Sequence, residues 1–411
     1  QWLGSLEEWA FRLLYEVTGH YNYTILASMG ILVILLGLVV MAWATRRLIR
    51  TMIGVVMPGE SDNLSDLIFS NLQLSKGPKV VVIGGGTGLS VMLRGLKAKT
   101  YNLTAVVTVA DDGGSTGRIR QDLDIIAPGD LRNCLVTLAD KEGLMEKLFA
   151  HRFGGSGNLT GHSFGNLFIA ALIEVLGDVE EAMDATSKVL RVRGKVIPSS
   201  AEKLRLNAEM TDGRIVEGES QIPHAHGKIK RVFTTPEHPR AIQSAVDAIR
   251  EADAIVLGPG SLYTSIMPNL CVPDIVQAVR TSKAPKIYIC NVMTQPGETD
   301  DYTVSDHIRA INRQAGGKVI DFVIANNGDV DPAVLQRYVA HGSHPVMIDK
   351  KEVSQTGATL VLSDLINKEN SATHDTKKLA NVLFDLINAL RTDLSPELLH
   401  YYLKRYTFNH R

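Results

Sequence analysis

Two glycine-rich turns, each directly following a short apolar run, carry the chemistry that stands out first in this sequence. One is Gly84-Gly85-Gly86-Thr87-Gly88 after KVVVI, and the other is Gly258-Pro259-Gly260-Ser261 after Ala254–Leu257. Glycine turns at strand ends let the backbone approach a phosphate closely and aim helix N-terminal N–H groups at it. The first reads G-x-G-x-G, which is neither the dinucleotide fingerprint nor a P-loop, and no Lys follows its last glycine. Beside the second, Ser261, Thr264 and Ser265 offer hydroxyls to phosphate oxygens, and Tyr263 offers a ring to stack on a base or sugar. Two such loops make a nucleotide crevice a stronger expectation than either would alone.

Further polar residues follow other apolar runs. Asp111 and Asp112 open DDGGSTGR, where adjacent carboxylates suit a divalent cation such as Mg²⁺ or a ribose, and Arg118 suits a phosphate. The same Asp and Gly residues are also ordinary turn formers. Arg132 and Asn133 in PGDLRN, and His162 and Asn166 in GHSFGN, are polar groups among apolar helix faces, with Asp130 and Ser163 reading as helix caps. Asn291 begins another polar loop, NVMTQPGET. His224 and His226 lack the companions a zinc site needs. No G-x-S-x-G elbow or Cys–His pair is evident, so no catalytic nucleophile is assigned.

The elements that must position these loops read as an α/β fold. Short apolar runs at Lys79–Ile83, Leu103–Val109, Ala254–Leu257, Lys286–Cys290, Phe322–Ala325 and Pro345–Ile348 alternate with amphipathic stretches, the first helix being Leu89–Leu96. That alternation predicts a Rossmann-like, mainly parallel sheet with helices on both faces. Leu204–Met210, the Asp212-Gly213 turn, Arg214–Ser220 and Ile229–Thr234 predict a small antiparallel insertion.

Ahead of this fold, residues 24–44 run for 21 positions without a charge, enough for a helix about 30 Å long. Arg46, Arg47 and Arg50 follow, while Glu7, Glu8 and Glu16 precede, so the positive-inside bias predicts a transmembrane helix with everything after it in the cytoplasm. Tyr21, Tyr23 and Trp43 sit at the expected interfaces. The resulting division is an extracytoplasmic segment 1–23, a span 24–44, a linker 45–77 with a short helix around Leu64–Leu72, a nucleotide-binding domain 78–350 and a C-terminal helical region 351–411. With 43 basic against 44 acidic residues no basic field exists to attract nucleic acid. Three widely spaced cysteines argue for a reducing compartment.

Taken together, VVIGGGTGLSVMLRGLK, TVADDGGSTGRIR, APGDLRNCLVTLAD, GHSFGNLFIAALIE, VLGPGSLYTSIMPNL and ICNVMTQPGET resemble the YvcK/CofD-like family of gluconeogenesis factors and UDP-N-acetylglucosamine binding factors. The resemblance spans roughly residues 79 to 345 and is closest to the YvcK branch. It implies a regulator of carbon metabolism, peptidoglycan precursor supply and cell shape that binds UDP-N-acetylglucosamine. It also implies an alternative: a phospholactyl transferase of the CofD branch, using a nucleotide-diphosphate donor and Mg²⁺ held by Asp111 or Asp112. Tyr263 matches the tyrosine associated with sugar-nucleotide binding. The expectation is therefore a membrane-tethered regulator, a homo-oligomer, requiring no cofactor.

Overall fold

The computed structural model describes residues 8–9, 11–13, 15–17, 19, 23–56, 72–140, 143–367 and 371–392. It contains two compact units, residues 1–72 and residues 73–411. In the first, helix α1 runs Tyr23–Val56, 34 residues, so the apolar segment is one part of a longer helix that continues through Arg46, Arg47 and Arg50. Nothing in the intervening sequence breaks it: no proline occurs before residue 58. Gly30–Leu48 is long and apolar enough to cross a membrane, and none of that stretch is buried. The Arg47 guanidinium lies 5.2 Å from the Trp43 ring centroid, a cation–π contact one turn back along the helix. Tyr21 and all but the last residue of the expected Leu64–Leu72 helix lie outside the described residues.

The second unit is built on seven strands: β1 Val80–Gly84, β2 Leu103–Val107, β3 Lys195–Pro198, β7 Ala254–Leu257, β8 Lys286–Ile289, β9 Phe322–Asn326 and β10 Thr359–Ser363. Their order is β10-β9-β8-β7-β1-β2-β3, and every pairing is parallel. Each residue of β1 and β7 is buried, which requires both sheet faces to be covered and explains why these strands are apolar throughout. Helix α2, Gly86–Leu96, follows β1; it packs against α4, Gly129–Leu138, and α13, Thr376–Arg391. Intervening helices used below are α3 Gly114–Leu123 and α6 Phe164–Leu176.

The insertion is a separate antiparallel sheet of β4 Arg205–Met210, β5 Ile215–Glu217 and β6 Ile229–Thr235, ordered β5-β4-β6. Its Asp212-Gly213 turn closes with Met210 N–H donating to Arg214 O at 2.9 Å. Two expectations are corrected. Helix α2 starts at Gly86, three residues before Leu89, because the glycine loop itself provides its first turn. Pro345–Ile348 is no strand: Pro345 and Met347 make only isolated bridges, to Met293 and Thr303. In the C-terminal region expected to pack on or follow the domain, β10 pairs with β9 and α13 packs against α2.

Candidate functional site

From β1 the chain winds outward to β2 and β3; from β7 it winds the other way, to β8, β9 and β10. The two central strands are neighbours, so their following loops meet at the switch point, where open α/β sheets bind ligands. Gly258 N–H donates to Ile83 O at 2.9 Å, and Asn269 Nδ2 donates to Gly84 O at 3.1 Å and Ser265 O at 3.0 Å, tying the loops together from below. Above, they touch through Gly88: a Cβ there would stand 2.7 Å from Pro259 O and 3.0 Å from Gly260 Cα. Gly258 adopts φ +81°, a left-handed conformation that costs glycine nothing and strains other residues.

The loops open onto a crevice of about 450 Å³, within the range of small-molecule sites. Gly85, Gly86, Thr87, Gly88, Pro259, Gly260, Ser261 and Asn291 line it. The N-terminus of α2 faces it; its cap position, Gly85, has no side chain, and the carboxylate of Asp130 accepts the Gly86 N–H there. Gly84 and Gly258 lie at the strand ends beneath. Gln295 and Ser265 join the lining although the sequence did not single out Gln295: its Nε2 donates to Ser261 Oγ at 2.6 Å, and its Oε1 accepts from Asn291 Nδ2 at 3.1 Å. Val91, Val292 and Met293 add apolar surface, and Ala372, Thr373 and His374 from the C-terminal region complete the lining.

A second hollow of about 290 Å³ collects Asp111, Asn133, Arg132 and Asn166 with Ser115, Asp130 and Arg152. Arg132 is buried and donates to Ser163 Oγ at 2.5 Å and Asn133 Oδ1 at 2.6 Å; burial lowers its pKa. Ser115 Oγ meets His162 Nδ1 at 3.3 Å and Asn166 Nδ2 at 3.4 Å. Asn166 Oδ1 is buried and makes no hydrogen bond. Arg118 reaches Thr160 O at 3.0 Å, beside the hollow rather than in it. Burial and Arg118 lower the pKa of His162, which favours its neutral form.

Asp130 stands between the two sites. It reads as a cap in the sequence, yet α4 is preceded by Pro128 and has no side-chain cap. Its carboxylate lines the second hollow and accepts a hydrogen bond from Gly86 N–H of the first. Burial and the nearby Asp111 push its pKa up to about 6. Ser163 likewise makes no cap bond; its hydroxyl serves Arg132 and Phe149 O. Glu219, at the start of the 3₁₀ turn Glu219–His224, is pushed to about 8 by burial and then by Asp111, Asp112, Glu298 and Asp130. The neighbourhood of the glycine loops is therefore acidic, and burial favours the protonated forms of Asp130 and Glu219.

Several expected site residues are placed elsewhere. Asp112 does not join Asp111 in a chelate: its two oxygens accept Ser220 N–H at 2.9 Å and Glu219 N–H at 3.1 Å, which anchors the insertion to the sheet edge. Asp111 Oδ1 accepts Gly113 N–H at 2.9 Å. Among the described residues no group of three or more His, Cys, Asp or Glu is arranged to hold a metal. Tyr263 is 2% exposed, with its hydroxyl 2.7 Å from that of Tyr302, so its ring packs in the interior instead of presenting a stacking face. Thr264 is also buried, its hydroxyl donating to Glu298 Oε1 at 3.1 Å. The loop motif promised exposure, but residues 262–266 wind into a π turn that faces these side chains inward.

The family described as 2-phospho-L-lactate transferase CofD matches residues 80–366. The gluconeogenesis factor of Bacillus subtilis is 50% identical over 311 residues, covering 75% of this chain and 98% of that protein. The gluconeogenesis factor of Listeria monocytogenes is 44% identical over 312 residues, covering 75% and 96%. A crystal structure of a UPF0052-family protein from Bacillus halodurans has a TM-score of 0.73 and 47% identity, covering 75% of this chain and 98% of that one.

Proposed function

The chain belongs to the CofD family, and from that premise we propose that it is a membrane-tethered regulator that binds a sugar nucleotide, UDP-N-acetylglucosamine, in the crevice between its glycine loops. The observation that carries this reading is the contact of the two loops through Gly88 at the switch point, beside the glycine N-terminus of α2. Backbone amides there suit a diphosphate, which needs close approach more than it needs many cations. The second hollow, with Asp111, Asn133 and Asn166, has the hydrogen-bonding groups a hexosamine would use.

Regulation of carbon metabolism, peptidoglycan precursor supply and cell shape is part of the proposal, supported by the relatives named gluconeogenesis factor. So are self-association and a location at the cytoplasmic membrane, the latter supported by the apolar stretch Gly30–Leu48 and the arginines that follow it. The crevice presents hydroxyls but no paired base: Ser261 Oγ accepts from Gln295, which favours binding over nucleophilic turnover.

The test is a thermal-shift and calorimetric series on the full chain in detergent with UDP-N-acetylglucosamine, GDP and NAD, each with and without Mg²⁺. A ligand that binds only the folded state raises the melting temperature with its concentration. No rise with any nucleotide would end this reading. Product formation by mass spectrometry with Mg²⁺, a nucleotide-diphosphate donor and a deazaflavin would replace it with the transferase.

A further inference from the structure

A third hollow, of about 300 Å³, shares no lining residue with either of the two sites above. One wall is β6 of the antiparallel insertion, and another is the end of helix α10, Val304–Gln314. Gln314 Nε2 donates to Val232 O at 3.2 Å and to Cys271 Sγ at 3.4 Å, which ties the two walls together. The hollow therefore has a fixed frame.

Three cations line it: Lys230, Arg231 and Arg313. The register of β4 and β6 shifts between Glu209, which pairs with Arg231, and Met210, which pairs with Ile229, so Lys230 is an extra residue on β6. Bulges of this kind re-aim side chains. Here Lys230 Nζ and Arg231 Nε both reach one carboxylate, Glu209, at 2.6 Å and 2.5 Å, and Glu209 cancels only one of their two charges. Arg313 comes from the opposite element, and among the described residues its guanidinium makes no hydrogen bond or ion pair. Three positive side chains against one negative leave a surplus of two positive charges. Beside them Val232, Met267 and Ala310 supply apolar surface.

We propose that this hollow binds a small phosphate monoester, with Arg313, Lys230 and Arg231 on the phosphate and Val232, Met267 and Ala310 against its carbon part. A phosphate monoester carries a charge of about −1.5 to −2 near neutral pH, which matches the surplus. Guanidinium groups hold phosphate through paired N–H donors, and an ammonium adds a point charge. The volume lies at the lower end of small-molecule sites, so it suits a short phosphorylated metabolite and not a nucleotide sugar. Tyr263, which also lines the hollow, stands two positions after Ser261 of the crevice, so the occupant would rest on the turn that follows the second glycine loop. The proposal is independent of the sugar-nucleotide reading.

Calorimetry on the full chain in detergent, with glycerol 3-phosphate and with glycerol as the uncharged control, tests it. The wild type should bind glycerol 3-phosphate and not glycerol. Arg313→Gln and Lys230→Gln should each weaken binding at least tenfold, and Arg313→Lys should recover part of the loss by restoring the charge. Both side chains are exposed, so native melting temperatures are expected. Arg309→Gln, one turn earlier on α10 and outside the hollow, should leave the affinity within twofold. No binding by the wild type at millimolar concentration overturns the proposal. Unchanged affinity in Arg313→Gln and Lys230→Gln also overturns it, since the phosphate would then sit elsewhere, such as on the glycine loops. An equal loss in Arg309→Gln overturns it as well, because the attraction would be one of overall charge. If one of the two variants fails to fold, the other decides against the same control.

Discussion

Gly88→Ala is the most direct probe of the loop contact. In the first turn of α2, an added Cβ would lie 2.7 Å from Pro259 O, whereas ordinary contact begins near 3.4 Å, so about 0.7 Å must be found. The opposing atoms are backbone of the second glycine loop, which no side-chain rotation can move aside. Forcing a methyl into such a place costs about 1–3 kcal/mol. Alanine's helix preference over glycine returns roughly 0.5–1 kcal/mol. The net expectation is a loss of up to about 2.5 kcal/mol, together with parted loops and at least a tenfold weaker hold on any ligand that bridges them, about 1.4 kcal/mol. Urea unfolding and calorimetry on the full chain measure the two effects. Gly143→Ala is the control, because nothing stands within 4 Å of its added Cβ. If Gly88→Ala proves as stable as the wild type and binds ligand equally well, the loops do not meet as described and the crevice argument falls.

Three further outcomes are expected. Glu298 accepts from Tyr263 N–H and the Thr264 hydroxyl, and burial pushes its pKa to about 7 from the usual 4.5. The folded state then keeps a proton that the unfolded chain releases, so Glu298 costs stability progressively from pH 4.5 to 7, about 3 kcal/mol in all. Glu298→Gln should flatten urea midpoints between pH 5 and 7.5; an unaltered slope would show that Glu298 is ionised throughout. Tyr263→Phe removes the hydroxyl contact with Tyr302 and should cost about 0.5–1.5 kcal/mol with ligand affinity unchanged within twofold. A tenfold affinity loss would return Tyr263 to the binding surface. Asp112→Ala strands two backbone N–H groups at residues 219 and 220 and should cost about 1–3 kcal/mol, read by denaturation. A Mg²⁺-dependent rise in melting temperature that disappears in this variant would instead make Asp112 a metal ligand.

The parts of this site that could be read from sequence are those whose residue types have few alternatives. Gly88 must be glycine because another backbone occupies the place of its side chain, and apolar runs such as VVVI leave little choice but a strand buried on both faces. The parts that could not be read depend on distant partners. Asp130 precedes an apolar helix and has the look of a cap; only the fold shows that its carboxylate meets Gly86, 44 positions earlier. Tyr263 sits in a motif rich in small polar residues, yet a single π turn faces it inward against Tyr302. β10 and the 371–375 segment carry no glycine signature, and their place beside the crevice follows from strand pairing alone.

Glycine-rich loops gain close approach to a ligand at an entropic cost, since glycine loses more freedom on ordering than any other residue. Here that cost is met by carboxylates that bind the backbone of a neighbouring loop. Asp130 holds Gly86, Asp112 holds residues 219 and 220, and Glu298 holds residues 263 and 264 through Tyr263 N–H and the Thr264 hydroxyl. A bond from a backbone N–H to an ionised acceptor is about twice as strong as a neutral one, so the hold of Asp130 and Glu298 tightens as each loses its proton, near pH 6 and pH 7. The acids near the glycine loops thus act as positioning groups. Such an arrangement preforms the crevice before a ligand arrives, and preformed amides can hold a diphosphate without the ordering cost a mobile loop would incur on binding.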